Sequence, residues 1–417
     1  MVDDSGRVRQ IAWLDVFPWL RLFKCPRLSL TISLLLLGFL GWLGMLSGWR
    51  FLAYCFQNLE DPAAQTTIAQ LREWPWEGMP VYSEPQLKLS APTYDTLTAA
   101  SAQLVGIAKL LSAPASALFN LQLSFGGFCF YLLCTIWTIL VWSIFGAAIT
   151  RIAALALTRE HKLGLRGGFA FGLLHWPSFA GGPALPLAAC LLLAVPLLVL
   201  GWIARLDSGA LFVSLIWPLA LIGGGLIALL TLGLALGWPL MWPTISTEAT
   251  DSFDGLSRAY SYTLHRPLRY FGYVLFAGIL GALLLYVVTF VVALIQHMTL
   301  WGFSIGAGGE RVNDLLSPVV QDSTMLRWAN TVFGFWNRLL QLIPLAVAAS
   351  YFWTAMTQIY LLLRRDEDGA ELDEVFLPAQ DKEFGVPPLK QDAAGVPSVA
   401  EQLLPKTNPP DDTAMGS

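Results

Sequence analysis

The sequence predicts an all-α fold, a polytopic bundle of about six transmembrane helices, on two observations. Of its 417 residues, 55% are hydrophobic and only 13% are charged, which is more apolar surface than a soluble fold of this size can hide from water. The sequence also contains uncharged apolar stretches long enough to cross a hydrocarbon core of about 30 Å, which takes roughly 20 helical residues. The lipid bilayer is therefore the expected partner of the chain.

The predicted spans are residues 28–46, 125–149, 186–204, 211–236, 271–295 and 339–363. Because lipid offers the backbone no hydrogen-bond partner, each span is expected to be helical, and its near-continuous apolar character excludes a barrel strand. The loop 47–124 is predicted to be external, and Leu97, Leu104, Ala108 and Leu111 share a helical face in its second half, which indicates a surface helix.

Both ends of the chain are predicted to be cytoplasmic. Not counting the lysines further along the C-terminal tail, Arg and Lys number fourteen in the segments on one side of the spans and eight on the other, and the richer side is expected to face the cytoplasm. Residues 1–27 are then a cytoplasmic interfacial segment. Residues 364–417, with twelve acidic and five basic residues and repeated prolines, form an acidic tail predicted to be disordered. The tail is either a docking site for a cytoplasmic protein or a solvated end.

A weak internal repeat lies in the two main cytoplasmic loops. The segment GLRGGFAFGLLHWP from Gly164 resembles GLSRAYSYTLHRP from Gly255, so that His175 and Pro177 correspond to His265 and Pro267. Each copy is predicted to be an amphipathic interfacial helix that its proline ends before the next span. Duplication of a hairpin unit and chance recurrence in a biased composition both explain the pattern.

The densest polar cluster near the membrane is formed by Glu248, Asp251, Asp254 and Arg258. It could hold a cation or a lipid headgroup. The structural alternative is that the acidic residues lie at the start of a helix, where the macrodipole favours them, and that Asp254 and Arg258 form an i,i+4 ion pair.

Charged groups are missing from the predicted spans themselves. None contains Asp, Glu, Lys, Arg or His, whereas pumps and ion-coupled carriers normally keep such groups in the membrane. The sequence lacks an HExxH motif and a nucleophile elbow, and its five scattered cysteines fit neither a zinc pattern nor a disulfide framework. No catalytic residue, metal, cofactor or nucleic acid is therefore predicted. Gly38, Gly41 and Gly44, like the GxxxG pair Gly233 and Gly237, indicate close helix packing.

The segments TEATDSFDGLSRAYSYTLHRP and GAAITRIAALALTREHKLGLR resemble a group of uncharacterised bacterial six-span membrane proteins. More distantly, the chain is similar to the membrane-anchor domain of some glycerophosphodiester phosphodiesterases. The resemblance covers roughly residues 146–365 and implies a location in the bacterial inner membrane. It implies no activity, because the soluble phosphodiesterase domain is missing.

Three functional hypotheses follow. The leading one is a non-enzymatic scaffold or accessory protein, and the alternative is a permease-like protein for an uncharged or lipidic substrate. A membrane-embedded enzyme would require polar side chains converging on Glu248 or Asp254 in a pocket. A water-accessible cavity reaching mid-membrane between the spans would favour the permease, and a solid, side-chain-filled bundle would favour the scaffold.

Overall fold

The structure, a computed structural model, describes residues 16–72, 94–159, 163–316, 324–371, 375–376, 389–391 and 397–399. The chain divides into two units, Met1–Val375 and Phe376–Ser417. The first unit holds the described helices. In the second, strands β1 (Leu389–Gln391) and β2 (Pro397–Val399) pair antiparallel, with Leu389 opposite Val399. The other tail residues after Phe376, for which disorder is predicted, lie outside the described part of the chain.

Helices of very different lengths build the first unit. A 3-10 helix, Pro18–Phe23, leads into the α-helices, which are α1 Lys24–Ser29, α2 Ile32–Cys55, α3 Pro62–Arg72, α4 Tyr94–Ala117, α5 Phe125–Thr158, α6 Leu165–Ile203, α7 Asp207–Leu215, α8 Trp217–Glu248, α9 Ser252–His265, α10 Pro267–Ala307, α11 Gly309–Leu316, α12 Thr324–Gln341 and α13 Ile343–Asp368.

Six helical segments in the described part of the chain have the length and apolarity needed to cross a bilayer. They are α2, α5, α6, α8, α10 and the α12–α13 pair. The prediction of an all-α transmembrane bundle with six spans is confirmed, and the chain is a multi-pass membrane protein. At 1.5 Å per residue, the 41-residue α10 extends about 60 Å, so it is much longer than a hydrocarbon core is thick.

The helices differ in extent from several of the predicted spans. The third span extends back to Leu165, and the fourth begins at Trp217 because residues 207–215 form the separate helix α7. Helix α13 continues past the predicted start of the tail to Asp368 and is followed by Gly369, whose φ of 66° suits glycine in a left-handed cap. Helices α3 and α4 occupy part of the loop 47–124, and α4 buries Ile107 and Leu111.

The predicted helix break at Pro177 was wrong. Helix α6 continues through Pro177 and three further prolines to Ile203. A proline removes one backbone hydrogen bond, but in a membrane protein neighbouring helices and local adjustment of the turn can compensate for that loss. In the second copy the predicted helix end at the proline is confirmed, because α9 ends at His265 and Pro267 begins α10.

Glycines allow the core helices to approach closely, as predicted for α2. A Cβ on Gly38 would lie 2.9 Å from the carbonyl oxygen of Ala346 in α13. A Cβ on Gly172 of α6 would lie closer than 3.0 Å to the carbonyl oxygen of Ile144 in α5, which is backbone and cannot rotate away. The groove at Gly233 and Gly237 holds a side chain instead, because the ring of Tyr260 from α9 lies over both glycines.

Substitution of Gly172 tests this helix contact. We expect Gly172→Ala to lower the free energy of unfolding by about 1–3 kcal/mol, the usual cost of overpacking, because α5 and α6 must move apart. Gly201→Ala in the same helix is the matched control, since a Cβ there meets no atom within 4 Å. Thermal unfolding in detergent compares the two variants, and equal melting temperatures would contradict the close contact.

A buried carboxylate joins the start of α3 to the start of α5. Asp61 is 1% exposed and accepts hydrogen bonds from the backbone N–H of Ser124 at 2.9 Å, from the Ser124 hydroxyl at 2.5 Å and from the N–H of Ala63 at 3.0 Å. Ser124 in turn caps α5 by accepting from the N–H of Gly127. The bonds from Ser124 lower the pKa of Asp61 below its usual value, despite the opposing effect of burial.

The lowered pKa of Asp61 predicts a pH dependence. A carboxylate with a depressed folded-state pKa contributes stability above its unfolded-state pKa and loses it as the pH falls through the folded value. We expect Asp61→Asn to melt at a lower temperature than the wild type at pH 7 and the difference to shrink below about pH 4. Asp207→Asn, at an exposed carboxylate, is the control. A pH-independent difference would show that the charge of Asp61 is not what stabilises this contact.

Candidate functional site

The predicted polar cluster is held together at one end of the bundle around Glu248. This residue ends α8, and its side chain is only 10% exposed. Its carboxylate contacts the guanidinium of Arg258 at 2.6 Å and that of Arg364 at 3.2 Å, and it accepts a hydrogen bond from the Tyr360 hydroxyl at 2.7 Å. We call Glu248, Arg258, Tyr360 and Arg364 the carboxylate clasp. It connects α8, α9 and α13.

The remaining members of the predicted cluster have the structural roles that the sequence indicates. Asp251 caps α9 by accepting from the N–H of Asp254 at 2.9 Å, and Asp254 pairs with Arg258 at 3.2 Å. Burial alone would lower the pKa of the Arg258 guanidinium, but Glu248 and Asp254 outweigh burial and raise that pKa. Each carboxylate of the cluster therefore already has a protein partner.

A second set of ion pairs lies next to the clasp. Arg266 contacts Glu367, and Arg269 contacts Asp366 at 3.1 Å. Tyr262 donates a hydrogen bond to Asp368. Acidic residues at the end of a helix oppose its macrodipole, and these partners compensate for that effect. Segments predicted to be cytoplasmic thus meet at one end of the bundle, while the face of the membrane on which this end lies stays a prediction.

The residues of the internal repeat occupy different environments. His175 stacks on the ring of Phe171 with centroids 4.3 Å apart, and the guanidinium of Arg151 lies 4.7 Å from the same ring. His265 is exposed and lies 3.4 Å from Glu367. Pro177 lies inside α6, whereas Pro267 starts α10. The two copies therefore do not form one shared site.

A cavity at mid-depth between the spans is the feature that sequence reasoning missed. It has a volume of about 460 Å³, within the usual range of ligand pockets, and is partly open. Helices α4, α5, α6, α8 and α13 line it. Pro183 lies halfway along α6, and Thr231 lies halfway along α8, which places the cavity near the middle of the spans.

Tryptophans form the end of the cavity nearer the clasp. Trp353 of α13 stacks on Trp242 of α8 with centroids 4.5 Å apart, and Trp238 meets Trp353 edge-on at 5.8 Å. The Nε1 of Trp242 donates to the Phe179 carbonyl at 2.8 Å. Gly146 makes the stacking possible, because a Cβ there would lie 2.6 Å from the Trp242 ring. These contacts among three tryptophans depend on the fold, which brings α8 and α13 together.

The lining of the cavity determines what it can accept. None of the described side chains around it is charged, and most of its surface is apolar. The hydroxyls of Ser112, Thr135 and Thr231 each donate to a carbonyl one turn earlier in their own helix, all at 2.8 Å. The cavity therefore offers apolar contact and a few hydroxyl lone pairs, which suits an uncharged or largely apolar molecule.

Elsewhere, the described residues contain no group of three or more His, Cys, Asp or Glu side chains that could hold a metal ion. The five cysteines are free thiols. Comparison with protein families, with curated proteins and with solved structures finds no match to this chain. The resemblance to bacterial six-span proteins and phosphodiesterase anchors stays a prediction.

The contacts of the carboxylate clasp predict that a small substitution at Glu248 lowers the stability of the fold substantially. We expect Glu248→Gln to lower the free energy of unfolding by about 3 kcal/mol, near the lower end for a broken buried ion pair, because Arg258 is 37% exposed. Asp254→Asn, which removes only an exposed i,i+4 pair, should cost about 0.5 kcal/mol or less. Denaturation in detergent measures both. A loss for Glu248→Gln no larger than that for Asp254→Asn would contradict the role of the clasp.

Proposed function

We propose that this membrane protein is permease-like and takes an uncharged or lipidic molecule into the cavity between its spans. The observation that carries the proposal is the cavity itself, which is large, lies at mid-depth and lacks charged lining residues in the described structure. A solid bundle would have favoured a scaffold. Ion-coupled transport is not proposed, because the side chains that line the cavity offer no ionisable group to bind a proton or a metal cation.

The volume of the cavity supports occupancy. The cavity of about 460 Å³ is partly open, and apolar walls of this extent that face neither protein atoms nor a bound molecule lose their packing contacts. Ordered water needs two to four polar partners per molecule, and the hydroxyls of this lining already donate to their own helices. An apolar occupant restores these contacts.

Filling the cavity tests the proposal. Ala235 lines the cavity on α8, and Ala228, seven residues earlier on the same helix, is exposed and does not line it. We expect purified Ala235→Trp to retain several-fold less co-extracted lipid or other neutral molecule per protein than Ala228→Trp, as measured by mass spectrometry of solvent extracts. Equal retention in the two variants would contradict binding in the cavity.

A second measurement distinguishes the movement of lipid between leaflets from the binding of lipid in the cavity. Proteoliposomes containing a fluorescent NBD-labelled phospholipid are treated with dithionite, which bleaches only the label exposed outside. The wild type should expose more of the inner-leaflet label than protein-free vesicles do, and Ala235→Trp should not. Retention of lipid without any such movement would contradict a permease and favour the scaffold hypothesis.

A further inference from the structure

The cavity has a floor and two separate walls. Helices α5 and α13, which pack directly against each other, form the floor. The last two turns of α4 form one wall, at residues such as Leu111 and Ala115, and α6 and α8 form the other, at residues such as Leu187 and Leu234.

The two walls do not close on each other. Helix α4 packs against α5, α10 and α13, but within the described structure it has no extended packing against α6 or α8. No other described helix lines the cavity on the side opposite the floor. The cavity is therefore a cleft that opens sideways between α4 and the α6–α8 pair, rather than a channel enclosed by helices.

The helices of the α6–α8 wall are apolar on their outer faces. The outer faces of α6 and α8 expose large aliphatic side chains, including Leu192 at 72% and Leu229 at 68%. In a multi-pass membrane protein, these faces contact acyl chains. A molecule dissolved in the bilayer therefore meets an apolar surface on the outer side of the α6–α8 wall.

We infer that the cavity is filled from the bilayer and that its occupant is the hydrocarbon chain of a lipid, which enters sideways between α4 and the α6–α8 pair. This inference rests on the proposed function and narrows its substrate from any uncharged molecule to a membrane lipid. The α4 wall borders this entry, because α4 faces the α6–α8 pair across the cleft without extended packing against it among the described residues.

Photolabelling tests the route. Wild-type protein is reconstituted into vesicles that contain a phospholipid with a diazirine in one acyl chain, and a second sample receives a water-soluble, uncharged sugar carrying the same diazirine. After irradiation, labelled peptides are mapped by mass spectrometry. We expect the lipid to label both walls of the cleft, at residues such as Leu111 and Leu234, and the sugar to label neither wall.

A bulky substitution on the α4 wall, compared with one on the exposed face of the same helix, tests whether the lipid passes between the walls. Ala115 lines the cavity, whereas Ala113, two residues earlier in the same helix, is exposed and does not line it. Ala115→Trp should reduce lipid labelling of Leu234 on the opposite wall at least several-fold, and Ala113→Trp should leave it near the wild-type level.

The outcomes separate this inference from the proposed function. Labelling of the cleft by the sugar but not by the lipid would overturn lateral entry and leave a neutral solute as the substrate. Labelling by neither probe, together with equal lipid retention in Ala235→Trp and Ala228→Trp, would overturn both. Undiminished labelling of Leu234 in Ala115→Trp would show that the lipid reaches α8 only from its outer surface, which also overturns the inference.

Discussion

The architecture depends on one buried carboxylate that fixes one end of the bundle. Glu248 binds Arg258, Arg364 and the Tyr360 hydroxyl, so α8, α9 and α13 cannot separate there without leaving charges unpaired in a poorly hydrated site. Burial also decreases along α8 with distance from the clasp. Residues 239–247 are buried, whereas most residues of the first half of the helix are exposed. The bundle is closed at the clasp and opens away from it, and the cavity begins where close packing ends.

The tryptophan contacts connect these two regions. Trp242 lies six residues before Glu248 in α8, and Trp353 lies seven before Tyr360 in α13, so two turns of each helix separate the clasp from the stacked rings. Because α-helices transmit position over two turns with little bending, a shift of the clasp would move the rings at the end of the cavity. The carboxylates of the polar cluster are paired with protein groups, and the cluster lies two helical turns from the apolar site.

Different parts of this structure were predictable for different physical reasons. Six spans follow from composition and length, and the Asp251 cap and the Asp254–Arg258 pair follow from local helix rules. The partners of Glu248 do not, because Tyr360 and Arg364 lie more than 100 residues further along the chain and only tertiary packing brings them close. The sequence signal available for these contacts was the pair of arginines that directly follows the last predicted span, where two positive charges lie close to the membrane.

The cavity could not be predicted, because its existence depends on where α4 lies rather than on which residues α4 contains. The apolar stripe of α4 predicts a helix with one buried face, and such a face fits a membrane surface as well as a helix bundle. In the structure, Ile107 and Leu111 are buried and the last turns face α8 across the cleft. Within the described part of the chain, this wall is packed against α5, α10 and α13 but not extensively against α6 or α8, so the cleft exists because of where the fold places α4.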